Sequence, residues 1–138
     1  MNRLTRAFVK TNIALFRLTG GKLGSQLGSQ SVLLLHTMGR KTGKAYTTAL
    51  SYYRDGERYL IVASNWGNEA HPAWFRNLMD SPQTDIETKQ GRLTVEARQA
   101  EGEEYQRLWR LVTRQNAQYQ RYQQGMSRRI PIVILTPV

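Results

Sequence analysis

The stretch most able to do chemistry is Gly39-Arg40-Lys41-Thr42-Gly43-Lys44, where three cations and a hydroxyl are set between and after two glycines. Glycines permit a tight turn in which backbone N–H groups converge on an anion. Arg40 can grip phosphate or carboxylate oxygens with two parallel donors, while Lys41 and Lys44 act as point charges. Thr42 adds a hydroxyl donor. The order of Lys and Gly excludes a Walker A loop. A charged hairpin turn with no ligand has the same composition, so spacing alone leaves both readings open.

A second stretch runs from Ala63-Ser64-Asn65-Trp66-Gly67 to Pro72-Ala73-Trp74-Phe75-Arg76-Asn77-Leu78. A strand end, a glycine and a short helix carrying Trp and Asn can wall a flat aromatic ligand. Trp74 or Trp66 would supply apolar area, and Ser64 and Asn77 hydrogen bonds. Trp74 and Leu78 are also four apart, which is the spacing of a helix face packed on a core. Tyr119 and Tyr122 form a third feature on a Gln-rich segment. They read equally as half-buried packing residues or as phenols bordering a substrate.

Other constellations fail. The chain has no cysteine, which excludes thiolate catalysis and iron–sulfur ligation. His36 and His71 stand far apart without a metal-ligand context. His36 reads as an ordinary strand residue, and His71 as a helix-cap or near-pocket residue. No metal site is expected. Neither a Gly-x-Ser-x-Gly elbow nor a dinucleotide-binding glycine fingerprint is present.

The elements that must position these residues follow from periodicity. Strands are expected over Ser31–His36, Ala45–Tyr53 and Arg58–Ser64, the last two joined by an Asp55-Gly56 turn. Asn65–Ala70 reads as a polar loop and His71–Met79 as a short helix with Pro72 at its first position. Thr84–Lys89 and Arg92–Gln99 form a second hairpin around Gly91. Glu101, Glu103 and Glu104 open a helix that Arg110 and Arg114 close, each charge having the sign the helix dipole favours. Its apolar stripe is Tyr105, Leu108, Trp109 and Val112. A further helical piece covers Gln115–Gln124, and Ile130–Leu135 is the final strand. Residues 1–20 hold a basic amphipathic helix, with Gly24 and Gly28 in a polar connector behind it. About six antiparallel strands with short helices at the rim make a mainly β, α+β fold, a small barrel.

At 138 residues the chain is one domain's worth, residues 1–138. Its formal net charge is +10, and the first acid is Asp55, after eight Lys and Arg residues in positions 1–44. Such a surface attracts phosphorylated cofactors, anionic lipid or nucleic acid. No run is long enough to span a membrane and the N-terminus is a poor signal peptide, so a soluble, cytoplasmic protein is expected. Contact of residues 1–20 with anionic membrane is the sharper reading of the basic helix. Tyr46, Tyr52 and Tyr53 would permit base stacking, yet no nucleic-acid-binding motif accompanies them.

Taken together, Thr37 to Gly43, the Arg54-Asp55-Gly56 turn, Ala63-Ser64, His71 to Leu78, the Tyr119/Tyr122 spacing and Arg129 to Val133 resemble the deazaflavin-dependent nitroreductase and quinone reductase family, whose members use coenzyme F420. The resemblance extends from Leu34 to Pro137. It implies a split β-barrel related to FMN-binding reductases. It implies that Gly39, Arg40, Lys41, Thr42, Gly43 and Lys44 hold the coenzyme's phosphate, with nearby cations helping to hold its glutamate tail. The deazaflavin ring would lie by Ala63, Ser64, Asn65, Trp74 and Asn77. Ser64, Tyr119 and Tyr122 would face a quinone-like or nitro-aromatic substrate. FMN is the alternative cofactor, a monomer or homodimer the expected assembly, and no nucleic acid the expected partner. Asn116 stands where such a protein carries a third tyrosine, and Trp66 where its connector lacks an aromatic residue. Both departures bear on the acceptor.

Overall fold

The computed structural model describes residues 26–27 and 30–138. The basic amphipathic helix expected over residues 1–20 lies outside the described residues, and with it the suggested membrane contact. Strands β1 (Gln26–Leu27), β2 (Gln30–Met38), β3 (Ala45–Asp55) and β4 (Arg58–Val62) come first. A one-turn 3-10 segment at Asn65–Gly67 and helix α1 (Ala73–Asp80) follow. Then come β5 (Gln83–Thr88), β6 (Gly91–Gln99), α2 (Gly102–Gln115), α3 (Gln118–Gln124) and β7 (Ile132–Pro137).

The sheet order is β1-β2-β3-β4-β7-β6-β5, and β2 also pairs with β5. That last pairing, Leu34 with Glu87 and Leu35 with Ile86, closes six antiparallel strands into a barrel. The two-residue β1 is an addition at the start of β2, in what composition marks as a connector.

Alternation along the strands divides two cores, as the period of two requires. Leu33 and Leu35, Tyr59 and Ile61, Val133 and Leu135 join Ile86, Val95 and Ala97 inside the barrel, where α1 adds Trp74, Phe75 and Leu78. The opposite residues Leu60, Val62, Ile132 and Ile134 meet Tyr105, Leu108 and Val112 of α2 and Tyr119 of α3. Burying each of these large side chains contributes about 1.5–3 kcal/mol before conformational entropy is counted.

Boundaries move for local reasons. The β4 strand stops at Val62, short of Ser64, because Ser64 turns into the helical region and Asn65 and Trp66 take φ of 49° and 59°. Pro72 is the N-cap and not the first helical residue: its ψ of 150° is extended, and its carbonyl accepts from Phe75 and Arg76. α3 starts at Gln118 and not Gln115, because Asn116 is extended and its Oδ1 accepts from the Gln118 N–H at 3.1 Å. Among the described residues no helix is long and apolar enough to cross a membrane.

Candidate active site

The β2–β3 connection carries the cationic loop. It is a closed turn: the Gly39 N–H donates to the Lys44 carbonyl at 2.7 Å and the Gly43 N–H to the Gly39 carbonyl at 2.8 Å. Lys44 N–H donates to Thr42 Oγ1 at 3.3 Å. Gly39 is required by space, since a Cβ there would stand 2.8 Å from the Tyr46 ring and 2.9 Å from Thr42 Oγ1. Gly43 is required by conformation, with φ at +71°. The expectation of converging backbone donors is therefore corrected at Gly39, Gly43 and Lys44, whose N–H groups serve the turn itself. The loop presents the exposed side chains of Arg40, Lys41 and Thr42.

Helix α1 fixes the direction of the first cation. Asn77, buried in the middle of α1, accepts from the Arg40 backbone N–H at 3.2 Å and from Arg40 Nη1 at 2.9 Å through one oxygen, Oδ1. Loop and helix enclose a cavity of about 330 Å³. Its wall from the loop is Gly39, Arg40, Lys41 and Thr42; α1 gives Ala73, Trp74 and Asn77; the strands give Thr37, Tyr46 and Thr48. Arg40, Lys41 and Thr42 are exposed at its rim, while Thr37, Trp74 and Asn77 are buried. Trp74 thus belongs to the barrel core and to the cavity wall at once.

The cavity brings together Gly39, Arg40, Lys41, Thr42, Trp74 and Asn77 from the residues singled out in the sequence. Gly43, Lys44, Ala63, Ser64, Asn65, Tyr119 and Tyr122 are not in its lining. Sequence reasoning missed Tyr46, Thr48, Ala73 and the side chain of Thr37. Strand parity could have found three of them, since Thr37, Tyr46 and Thr48 lie on the faces that continue Leu33–Leu35 and Leu50–Tyr52.

Ala63 to Gly67 form a separate, tightly held turn. Arg128 reaches it from the segment after α3, donating to the carbonyls of Ala63 (3.2 Å), Ser64 (3.1 Å) and Asn68 (2.9 Å). Its Nη1 also meets His71 Nδ1 at 3.2 Å, so that nitrogen accepts and the ring proton lies on Nε2. Partial burial, then Arg128 and Arg76, lower the His71 pKa from its ordinary value. Glu69 accepts from the Ser127 N–H and Oγ, both at 2.8 Å. Trp66 stands at the tip of the turn, 54% exposed.

The two tyrosines differ. Tyr119 is buried, and its hydroxyl accepts from Tyr53 at 3.0 Å. Burial raises its pKa far above the ordinary phenol value. It packs between α3 and β3. Tyr122 is half-buried; its ring covers Gly67 and its hydroxyl accepts from Gln118 Nε2 at 2.6 Å. Among the described residues no group of His, Asp and Glu is arranged to hold a metal ion.

Comparison with known proteins agrees with this architecture. Residues 8–137 match the family model described as F420H(2)-dependent quinone reductase. An F420H(2)-dependent quinone reductase of Mycobacterium tuberculosis is 43% identical over 127 residues, covering 89% of this chain and 85% of that protein. A solved F420-H2 dependent reductase superposes with a TM-score of 0.69 at 31% identity, covering 75% of this chain and 92% of that one. The haem storage protein HutZ of Vibrio cholerae, at 14% identity and a TM-score of 0.59, shares the fold alone over 94% of this chain and 90% of its own. With its closed six-strand barrel and cation-rimmed cavity, the chain belongs to the F420H(2)-dependent quinone reductase family, as an F420-dependent oxidoreductase.

Proposed function

We propose that this protein transfers a hydride from reduced F420 to a quinone-like acceptor, with nitro-aromatics as the second acceptor class. One observation carries the reading: the Arg40–Thr42 rim and the buried Trp74 wall share one cavity of about 330 Å³. That volume lies within the roughly 300–1,000 Å³ range of small-molecule sites. The residues present fit the coenzyme, which joins an aromatic ring to a phosphate and carboxylate-rich tail. Two exposed cations match the tail, an indole matches the ring, and among the described residues the buried Thr37 hydroxyl has no partner. The acceptor class is supported by the names of the relatives.

Arg40, Lys41 and Thr42 would hold the tail, with Gly39, Gly43 and Lys44 shaping the turn that presents them. Asn77 orients Arg40. Trp74 gives the ring an apolar wall and, with the core behind it, excludes water from one side. When bound in its reduced form, F420 supplies the hydride. Ala63, Ser64 and Asn65 would border the ring on the barrel's β4 end. Ser64 and Tyr122 would lie toward the acceptor. Because Gln118 donates to the Tyr122 oxygen, the Tyr122 proton remains free to be donated.

A titration with oxidised F420 tests the coenzyme half. The double variant Arg40→Ala/Lys41→Ala should lose about 2–4 kcal/mol of binding, since charge-assisted contacts contribute about 1.5–3 kcal/mol each and need not add. No binding by the intact protein would end the reading. Turnover of reduced F420 with a soluble benzoquinone and with a nitroarene tests the acceptor half; quinone should be the better substrate, and binding without quinone reduction rejects that class.

A further inference from the structure

We infer that Thr37 is a further binding residue, one that hydrogen-bonds an uncharged polar group of the coenzyme at the floor of the cavity. Thr37 follows Leu33 and Leu35 on the inward face of β2, where the pattern calls for an aliphatic side chain. It is only 6% exposed, and among the described residues its Oγ1 is the buried side-chain polar atom without a hydrogen-bond partner. A valine there would keep the β-branched shape and the strand preference without burying an unpaired hydroxyl. The hydroxyl thus costs stability in the ligand-free fold, and Thr37 is one of the residues that line the cavity.

Depth selects the kind of group it would meet. The cations that neutralise a phosphate or carboxylate, Arg40 and Lys41, stand at the exposed rim. At the floor Thr37 has the neutral company of Trp74 and Thr48. An anion there would be desolvated without a paired cation, whereas a hydroxyl or ring carbonyl needs one hydrogen bond. Charge recognition belongs to the rim and neutral recognition to the floor.

The inference rests on the coenzyme reading, and the test separates the two. Wild type, Thr37→Val and Thr37→Ser are titrated with oxidised F420 and with its deazaflavin–ribityl fragment, which lacks phosphate and glutamates. Ligand-free thermal unfolding is measured alongside. Thr37→Val should have a Tm equal to or above wild type, yet bind both ligands about three- to ten-fold more weakly, the effect of one neutral hydrogen bond. Thr37→Ser should bind both within about two-fold of wild type. Failure of wild type to bind F420 would remove the coenzyme reading itself. With wild type binding, three results overturn the inference alone: unchanged affinity in Thr37→Val, a loss confined to the intact coenzyme, or a lowered Tm that makes Thr37 structural.

Discussion

At the scale of single residues, the contact between Asn77 and Arg40 turns a surface cation into an oriented one. A free arginine samples many rotamers, and binding an anion then costs the entropy of choosing one. Here the Asn77 oxygen already holds both the main-chain N–H and Nη1 of Arg40. A neutral amide is the right partner for this work. An aspartate would hold the guanidinium more strongly and cancel the charge that the ligand needs. Two substitutions separate position from charge. Asn77→Leu keeps the apolar packing of α1 but frees Arg40, and should weaken F420 binding about three- to ten-fold. Asn77→Asp keeps the anchor but neutralises the cation, and should weaken binding further while flattening its dependence on salt. Titrations at two ionic strengths check both. An Asn77→Asp protein with wild-type affinity would mean that Arg40 does not meet the anion.

At the scale of elements, the turn after β4 is maintained by the segment that follows α3. Gly67 has φ at +84°, and a Cβ there would stand 2.9 Å from the Tyr122 ring. Gly67→Ala should therefore destabilise the fold by about 1–2 kcal/mol. Truncating Tyr122 to alanine in that background should recover part of the loss, a non-additivity that urea unfolding of the double-mutant cycle will read. Arg128→Ala removes a donor from the carbonyls of Ala63, Ser64 and Asn68, of which Ser64 keeps the Gly67 N–H, and should cost about 1–3 kcal/mol. Lysine should not rescue it, because a single ammonium cannot reproduce the planar fork. None of this was legible in the sequence, where Asn65–Ala70 is a polar loop and Arg128 one basic residue among twenty Lys and Arg. The clasp joins residues about 60 positions apart, beyond the reach of local pattern. The cationic loop, the α1 face and the strand alternation were legible because each is set by glycine chemistry or by periods of two and 3.6. Tyr119 and Tyr122 were not told apart, since their spacing does not say which ring meets a β-strand. Thr37 belongs to the Thr37–Gly43 motif, but its burial comes only with the closed barrel.

At the scale of the whole molecule, the excess of cations gives Asp55, Glu87 and Glu104 two partners each. The clearest case joins the β3–β4 turn to helix α2. Asp55 accepts from both Arg107 nitrogens, at 3.0 and 2.9 Å, and also pairs with Arg58. Arg58 continues to Glu104 at 3.3 Å, and Glu104 to Arg98 at 2.7 Å. Hydrogen bonds from Arg107 and then Arg58 hold the Asp55 carboxyl well below the usual carboxylate range. Glu104 is lowered too, chiefly by Arg98. A depressed folded pKa means that the unfolded chain takes up its proton first as pH falls. The stabilisation from Asp55 is therefore complete above the unfolded value near about 3.9 and drains away as pH drops toward the folded one. Protonation also raises an already positive net charge, so self-repulsion acts in the same direction. Thermal unfolding between about pH 6 and pH 2 should show Tm falling steeply below about pH 4. Asp55→Asn should lower Tm at neutral pH, where the ion pairs are intact, and approach wild type at the acid end, where both chains carry an uncharged group at position 55. Parallel wild-type and Asp55→Asn curves over the whole range would show that the hairpin and α2 are held together by packing alone.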